Sequence, residues 1–140
     1  MASSSKAILE KLMKHAIERN GFDVFLKNIS VLSVEPGKVN FGMEVQKEHT
    51  NQGSTMHGGL TSSLVDSLTT LALMTTENPT PGVSVNLAVS YFKAARIGDK
   101  LTIEAEVLKQ GKTLAFTEAK ILNQKGDIIA TGHHVKHIGS

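Results

Sequence analysis

The chain has 140 residues, a formal net charge of +2 and no cysteine. That length suits one domain with a real core, and the missing thiols exclude disulfides, thiolate metal sites and a cysteine nucleophile. A charge this small, with few aromatic residues, gives no footprint for nucleic acid, and no apolar run reaches the ~18 residues of a membrane-spanning helix.

Residues 1–6 read as a short unstructured lead with no signal-peptide core behind it. Residues 5–19 read as a helix with Ile8, Leu9, Leu12, Ala16 and Ile17 on one side, stopped by Asn20-Gly21. Its Lys11, Lys14 and Arg19 suggest an amphipathic transit segment only weakly, because Glu10 and Glu18 are out of place in one. Residues 22–34 mix apolar and polar side chains and include a strand. Glu35-Pro36-Gly37-Lys38 is a turn, and Val39, Phe41, Met43 and Val45 then alternate as a strand with one buried face. Residues 46–56 form a polar loop that runs into His57-Gly58-Gly59.

The next segment, residues 57–74, predicts a helix. Leu60, Leu64, Leu68 and Leu71 make one apolar stripe, while Gly59, Ser62, Ser63, Asp66 and Thr70 make a small polar one. Asn78-Pro79-Thr80-Pro81-Gly82 marks its stop. It is the one long helix that a sheet has to bury. Val83, Val85, Leu87, Val89 and Tyr91 alternate as a strand, and Leu101, Ile103, Ala105 and Val107 as another. Gln110-Gly111-Lys112 and the turn at residues 123–127 connect two further strands, 113–122 and 128–138. Short connections imply antiparallel pairing. The reading is α+β: a single domain, residues 1–140, with an N-terminal helical segment (1–20) and a curved antiparallel sheet around a central helix.

Two features carry chemistry. The first N–H groups of a helix have no partner inside it, and the helix dipole makes that end electropositive. A carbonyl that develops negative charge is stabilised there, and Gly58 has no Cβ to obstruct it. Asp66 lies in a small, polar stripe, a wet or liganded setting for a carboxylate. A purely structural Asp66, hydrogen-bonded to a facing side chain, remains open at this level. No G-x-S-x-G elbow is present. His133, His134 and His137 suggest a metal at first glance, but neighbours along a strand face opposite ways, so no metal site is expected.

His49-Thr50-Asn51, Met56-His57-Gly58-Gly59-Leu60-Thr61 with Leu64-Val65-Asp66, Pro81-Gly82-Val83-Ser84-Val85, and residues 107–116 occur in this order at fitting separations. Together they make the chain closely resemble the hotdog-fold acyl-CoA thioesterases over nearly its whole length. The resemblance implies hydrolysis of medium- or long-chain fatty acyl-CoA to a free acid and CoA. It implies no metal and no cofactor, CoA being part of the substrate. Gly58 maps to the N–H that polarises the thioester carbonyl, and Asp66 to the carboxylate that activates water or attacks directly. Asn51 and His57 map to groups holding the thioester end and its loop, and Ser84 to one that places the water. Lys47, Ser84, Asn86 and Tyr91 map to substrate contacts, as do Lys109, Gln110, Gly111, Lys112, Thr113, Leu114 and His137. The resemblance further implies a homotetramer of two dimers, in the cytosol with a mitochondrial association.

Two other functions remain open. One is a hotdog acyl-CoA hydratase or dehydratase, with His57 as acid–base and Asp66 as its partner. The other is a non-catalytic acyl-CoA-binding or interaction module. Geometry adds one expectation. Gly58 and Asp66 are eight residues apart, ~12 Å along a helix axis, too far to serve one carbon from one helix. A two-fold homodimer with antiparallel central helices brings each Asp66 to the partner's Gly58, giving two shared sites.

Overall fold

In the computed structural model, which describes residues 2–139 and side chains from Ser5 onward, the chain runs α1 (Ala2–Glu18), a 3-10 helix (Phe22–Asn28), β1 (Ser30–Glu35) and β2 (Lys38–Glu44). A short 3-10 helix (Lys47–His49) and α2 (Gly58–Leu73) follow, then β3 (Val83–Tyr91), β4 (Lys100–Gln110), β5 (Leu114–Leu122) and β6 (Ile128–His137). The strands form one six-stranded sheet in the order β1-β2-β4-β5-β6-β3, antiparallel at every step.

The period-two residues of β2 and β4 point to one face: Val39, Phe41, Ile103 and Ala105 are fully buried. That face receives α2, whose Leu64, Val65, Leu68 and Ala72 are buried against it. Each fully buried aliphatic side chain contributes about 1.5–3 kcal/mol, so this helix–sheet layer is the main source of stability. Helix and sheet approach closely at Gly132 on β6. A Cβ there would lie 2.6 Å from Cγ1 of Val65, a stiff side chain with no room to yield.

Three local features differ from expectation. The first helix begins at Ala2, so residues 2–6 are helical rather than a loose lead, and Met1 lies outside the described residues. No Gly or Pro interrupts the run from Ala2 to Asn20, and serine is an ordinary helix residue. With 17 residues against 16, α1 is also as long as α2. It needs no wrapping sheet, because it lies on β1 and the 3-10 turn through Leu9 and Met13. Finally, α2 spans Gly58–Leu73 as the sequence predicts, but Asn78-Pro79 is not what stops it. The hydroxyls of Thr75 and Thr76 donate to the Ala72 and Leu73 carbonyls at 2.7 and 2.8 Å, and Thr75 Oγ1 accepts the Gly37 N–H at 2.8 Å. Those bonds cap the helix and tie its end to the β1–β2 turn.

Candidate active site

The head of α2 is capped in a way that leaves one donor over. His57 is the N-cap, and its Nδ1 accepts the Gly59 N–H at 2.8 Å. The Leu60 and Thr61 N–H groups both donate to the His57 carbonyl. Among the described residues the Gly58 N–H has no acceptor. Its glycine is not required by this chain's own packing: an added Cβ would meet the Tyr91 ring only at ordinary contact distances from 3.5 Å upward. Tyr91, at the end of β3, donates its hydroxyl proton to the Gly58 carbonyl at 2.8 Å and lies 2.9 Å from Ser62 Oγ.

The loop before the helix is built by its own side chains. Asn51 Oδ1 accepts from the Gly53 and Thr55 N–H groups, and Asn51 Nδ2 donates to Thr55 Oγ1. His49, expected as a plain loop residue, is buried; its Nδ1 accepts the Gln46 N–H, and its carbonyl accepts the His57 N–H. Asn51, Gly58 and Tyr91 line one cavity of about 400 Å³. Lys47 is exposed and lines the neighbouring one with Asn51 and His57.

A second cluster lies about two helix turns away. Asp66 is half-exposed, and its Oδ1 is 3.7 Å from Nε2 of His134, which is 0% exposed. Ser84 Oγ is 2.7 Å from the same nitrogen. Lys136, two residues along β6, is also buried and donates to Thr70 Oγ1 at 2.7 Å. Burial pushes the His134 ring below the usual histidine range; Asp66 opposes that and Lys136 adds to it. Burial likewise lowers Lys136, with Asp66 opposing. Sequence reading left His134, Lys136, Thr69 and Thr70 without roles. The available signal was β6 alternation, which puts His134 and Lys136 on the helix face and leaves His133 exposed beside Glu118.

A bulge brings Ser84 into this cluster. Strict alternation places Ser84 and Tyr91 on opposite faces of β3. The register against β6 slips between Ser84 and Asn86, with Val85 as the extra residue, so Ser84 and Tyr91 both reach the α2 side. Asn86, paired with Val135, is exposed.

The remaining expected contacts gather at the far end of the sheet. His137 pairs with Val83 on one side and Leu114 on the other, and Thr113 O accepts the Ile138 N–H. Gln110, Gly111 and Lys112 line a cavity of about 550 Å³ with Glu77 and Asn78, and Gln110 Nε2 donates to the Asn78 carbonyl. Lys109 is exposed and lies outside that lining. A more apolar cavity of about 510 Å³ opens beside the head of α2, between Phe22, Val24 and Phe25 on one wall and His57, Leu60 and Ser63 on the other. Within one chain, then, the expected residues form two groups. Lys47, Asn51, His57, Gly58 and Tyr91 sit at the head of α2, and Asp66, Ser84 and the CoA-type contacts sit farther along.

Residues 53–130 match the sequence profile of the thioesterase superfamily. Over 139 residues, 99% of this chain and of the relative, the sequence is 45% identical to acyl-coenzyme A thioesterase 13 of Mus musculus. The crystal structure of zebra fish thioesterase superfamily member 2 superposes with a TM-score of 0.93 at 44% identity, covering 96% of this chain and 98% of that one. A hypothetical thioesterase protein of Streptococcus pneumoniae, solved with coenzyme A, superposes with a TM-score of 0.75 at 25% identity over 80% of this chain and 89% of that one.

Proposed function

The chain belongs to the thioesterase superfamily, and we propose that it hydrolyses fatty acyl-CoA to a free acid and CoA, with Gly58 as oxyanion donor and Asp66 as general base. The observation that carries the reading is the head of α2. Its cap satisfies the Gly59, Leu60 and Thr61 N–H groups and leaves that of Gly58 open to a cavity. An N–H placed so stabilises the oxyanion of a tetrahedral intermediate.

The steps balance without a metal or redox group. The thioester oxygen accepts the Gly58 N–H. A water oxygen attacks the carbonyl carbon as Asp66 takes its proton. The tetrahedral intermediate collapses, the C–S bond breaks, and the proton passes from Asp66 to the departing sulfur. Hydration of an enoyl-CoA, the alternative, takes His57 as the acid–base group; its Nδ1 accepts the Gly59 N–H, which leaves Nε2 for that work. One assay separates the readings. Thiol release from a long-chain acyl-CoA supports hydrolysis, hydration of an enoyl-CoA supports the alternative, and saturable binding without turnover supports a binding module.

The site is shared across a homodimer. Gly58 and Asp66 lie eight residues apart on α2, ~12 Å along its axis. The edge strand β3 supports the arrangement, with Val83 and Val85 71% and 59% exposed. An antiparallel β3–β3 pair about a two-fold axis sets the Ser84 end of one chain against the Tyr91 end of the other. Asn51, Gly58 and Tyr91 of one protomer then face Asp66 and Ser84 of its partner, and two such dimers make the tetramer. Asn51→Ala and Asp66→Asn, each inactive alone, should recover about a quarter of wild-type activity when refolded together, because half the dimers are mixed and carry one intact site. No recovery in a mixture shown to contain mixed dimers overturns the shared site.

The apolar cavity beneath Phe22, Phe25 and Leu60 supports a medium- or long-chain acyl group, since its volume of about 510 Å³ is that of a small-molecule site. The cavity at Gln110–Lys112 suits the nucleotide end of CoA, where lysine and backbone N–H groups meet phosphate. A cytosolic setting with mitochondrial association rests on the family resemblance. No helix of the described residues is long and apolar enough to cross a membrane.

A further inference from the structure

Thr69 sits inside α2 with its hydroxyl 2.6 Å from the Val65 carbonyl oxygen. A carbonyl only accepts, so the threonine proton lies on that contact, and Thr69 Oγ1 receives the His134 Nδ1–H at 2.8 Å. The tautomer of the ring is thereby fixed. With its proton on Nδ1, the neutral ring has a lone pair on Nε2, and Ser84 donates its hydroxyl proton to it across 2.7 Å. Asp66 Oδ1 lies 3.7 Å from the same nitrogen. Resting on the thioesterase reading, we propose that His134 is a positioning residue for the hydrolytic water: anchored by Thr69, it draws the Ser84 hydroxyl proton inward and turns the Ser84 lone pairs toward the water beside Asp66.

A water held there meets two acceptors, Asp66 Oδ1 and Ser84 Oγ, one for each proton. Its own lone pair is left pointing at the thioester carbon, which orients it for attack. His134 is 0% exposed, so the ring acts through Ser84 and does not touch the substrate. Protonating the ring reverses the pattern. Nε2–H then donates to Ser84, the serine proton turns outward, and the water loses an acceptor. The charged groups facing the ring are Asp66 on α2 and Lys136 on β6; β3 contributes the neutral Ser84, and the neutral Thr117 of β5 donates to the His134 carbonyl. Burial holds the ring neutral to below the usual histidine range. Turnover therefore falls as pH drops through that region.

The test is a double-mutant cycle on kcat with long-chain acyl-CoA. His134→Asn keeps an amide near Thr69 and removes the acceptor for Ser84, so kcat should fall on the order of tenfold to a hundredfold while KM stays within about threefold. His134→Gln, which can place a carbonyl oxygen near the Nε2 position, should recover part of that loss. In the Ser84→Ala background the His134→Asn change should cost little more. Losses that multiply overturn the proposal, since His134 is then acting independently of Ser84. Should the His134 variants fail to fold, Ser84→Ala alone decides. Asp66 is common to both enzymes, so the wild type should show a loss of kcat below the usual histidine range that Ser84→Ala lacks. Identical profiles overturn the proposal. Absence of any thiol release by the wild type overturns the thioesterase reading instead.

Discussion

The two edges of the sheet are finished in opposite ways. At one edge, β1 has six residues and lies under α1; its Val31 and Val34 are buried. At the other, β3 has nine residues, nearly all exposed, with Val83, Val85, Leu87 and Tyr91 among them. A long apolar edge with unpaired backbone groups is an open template for another chain. The first edge is closed within the chain, and the second is left open. Ser84, Asn86 and Tyr91 all lie on the open edge, so the proposed dimer couples catalysis to assembly.

Paired substitutions test the contrast most severely. Val31→Asp places a carboxylate in the core beneath α1, a several-kcal/mol penalty by the usual cost of an unpaired buried charge, and the chain should not fold. Val85→Asp touches a side chain that is 59% exposed on a bulge, so the protomer should fold. Its mass in sedimentation should drop to the protomer, and turnover should vanish because Asp66 has lost the partner's Gly58. A Val85→Asp protein that remains assembled and active removes β3 from the interface.

Asp66→Asn sharpens the same comparison from inside. The change is nearly isosteric and leaves the open edge untouched, so assembly and acyl-CoA binding should persist. Turnover should fall about a hundredfold or more, the ordinary cost of a lost catalytic base. Loss of activity with the assembly intact separates chemistry from pairing. Turnover within about threefold of wild type means that Asp66 is not the base.

What the sequence disclosed follows from the range of the interactions involved. The head of α2 is a local feature: an N-cap histidine, two glycines and an apolar stripe lie within a few turns of chain. The strands were legible because alternation is also local. Ser84 shows where that reasoning ends. Alternation sets it opposite Tyr91, and only pairing with β6 reveals the bulge at Val85 that reverses its side. The role of His134 lies in contacts with Thr69 and Ser84, 65 and 50 residues away, which no periodicity encodes. Alternation did separate it from exposed His133. The cover over β1 was missed because α1 carries a polar N-terminal run that looks like a lead. Its packing surface is set by tertiary contact with the 3-10 turn.

The smallest effect belongs to the end of the sheet where β3 begins. Lys112 lines the cavity with Gln110 and Gly111, whereas Lys109, two residues before Gly111, is exposed outside that lining. Both lysines were expected as substrate contacts, and their placements separate them. Lys112→Ala should raise KM for acyl-CoA severalfold with kcat nearly unchanged, because a remote contact binds ground and transition states alike. Lys109→Ala should raise KM less, through the general positive field of the hairpin, and its effect should fade as salt screens that field. An acyl-pantetheine, which lacks the nucleotide, provides the control. Equal impairment of Lys112→Ala on both substrates means that the lysine supports the hairpin rather than the phosphates. Impairment confined to acyl-CoA places the nucleotide at the end of β3 where the open edge starts, so that one strand carries the interface, the water-positioning serine and the approach of the substrate.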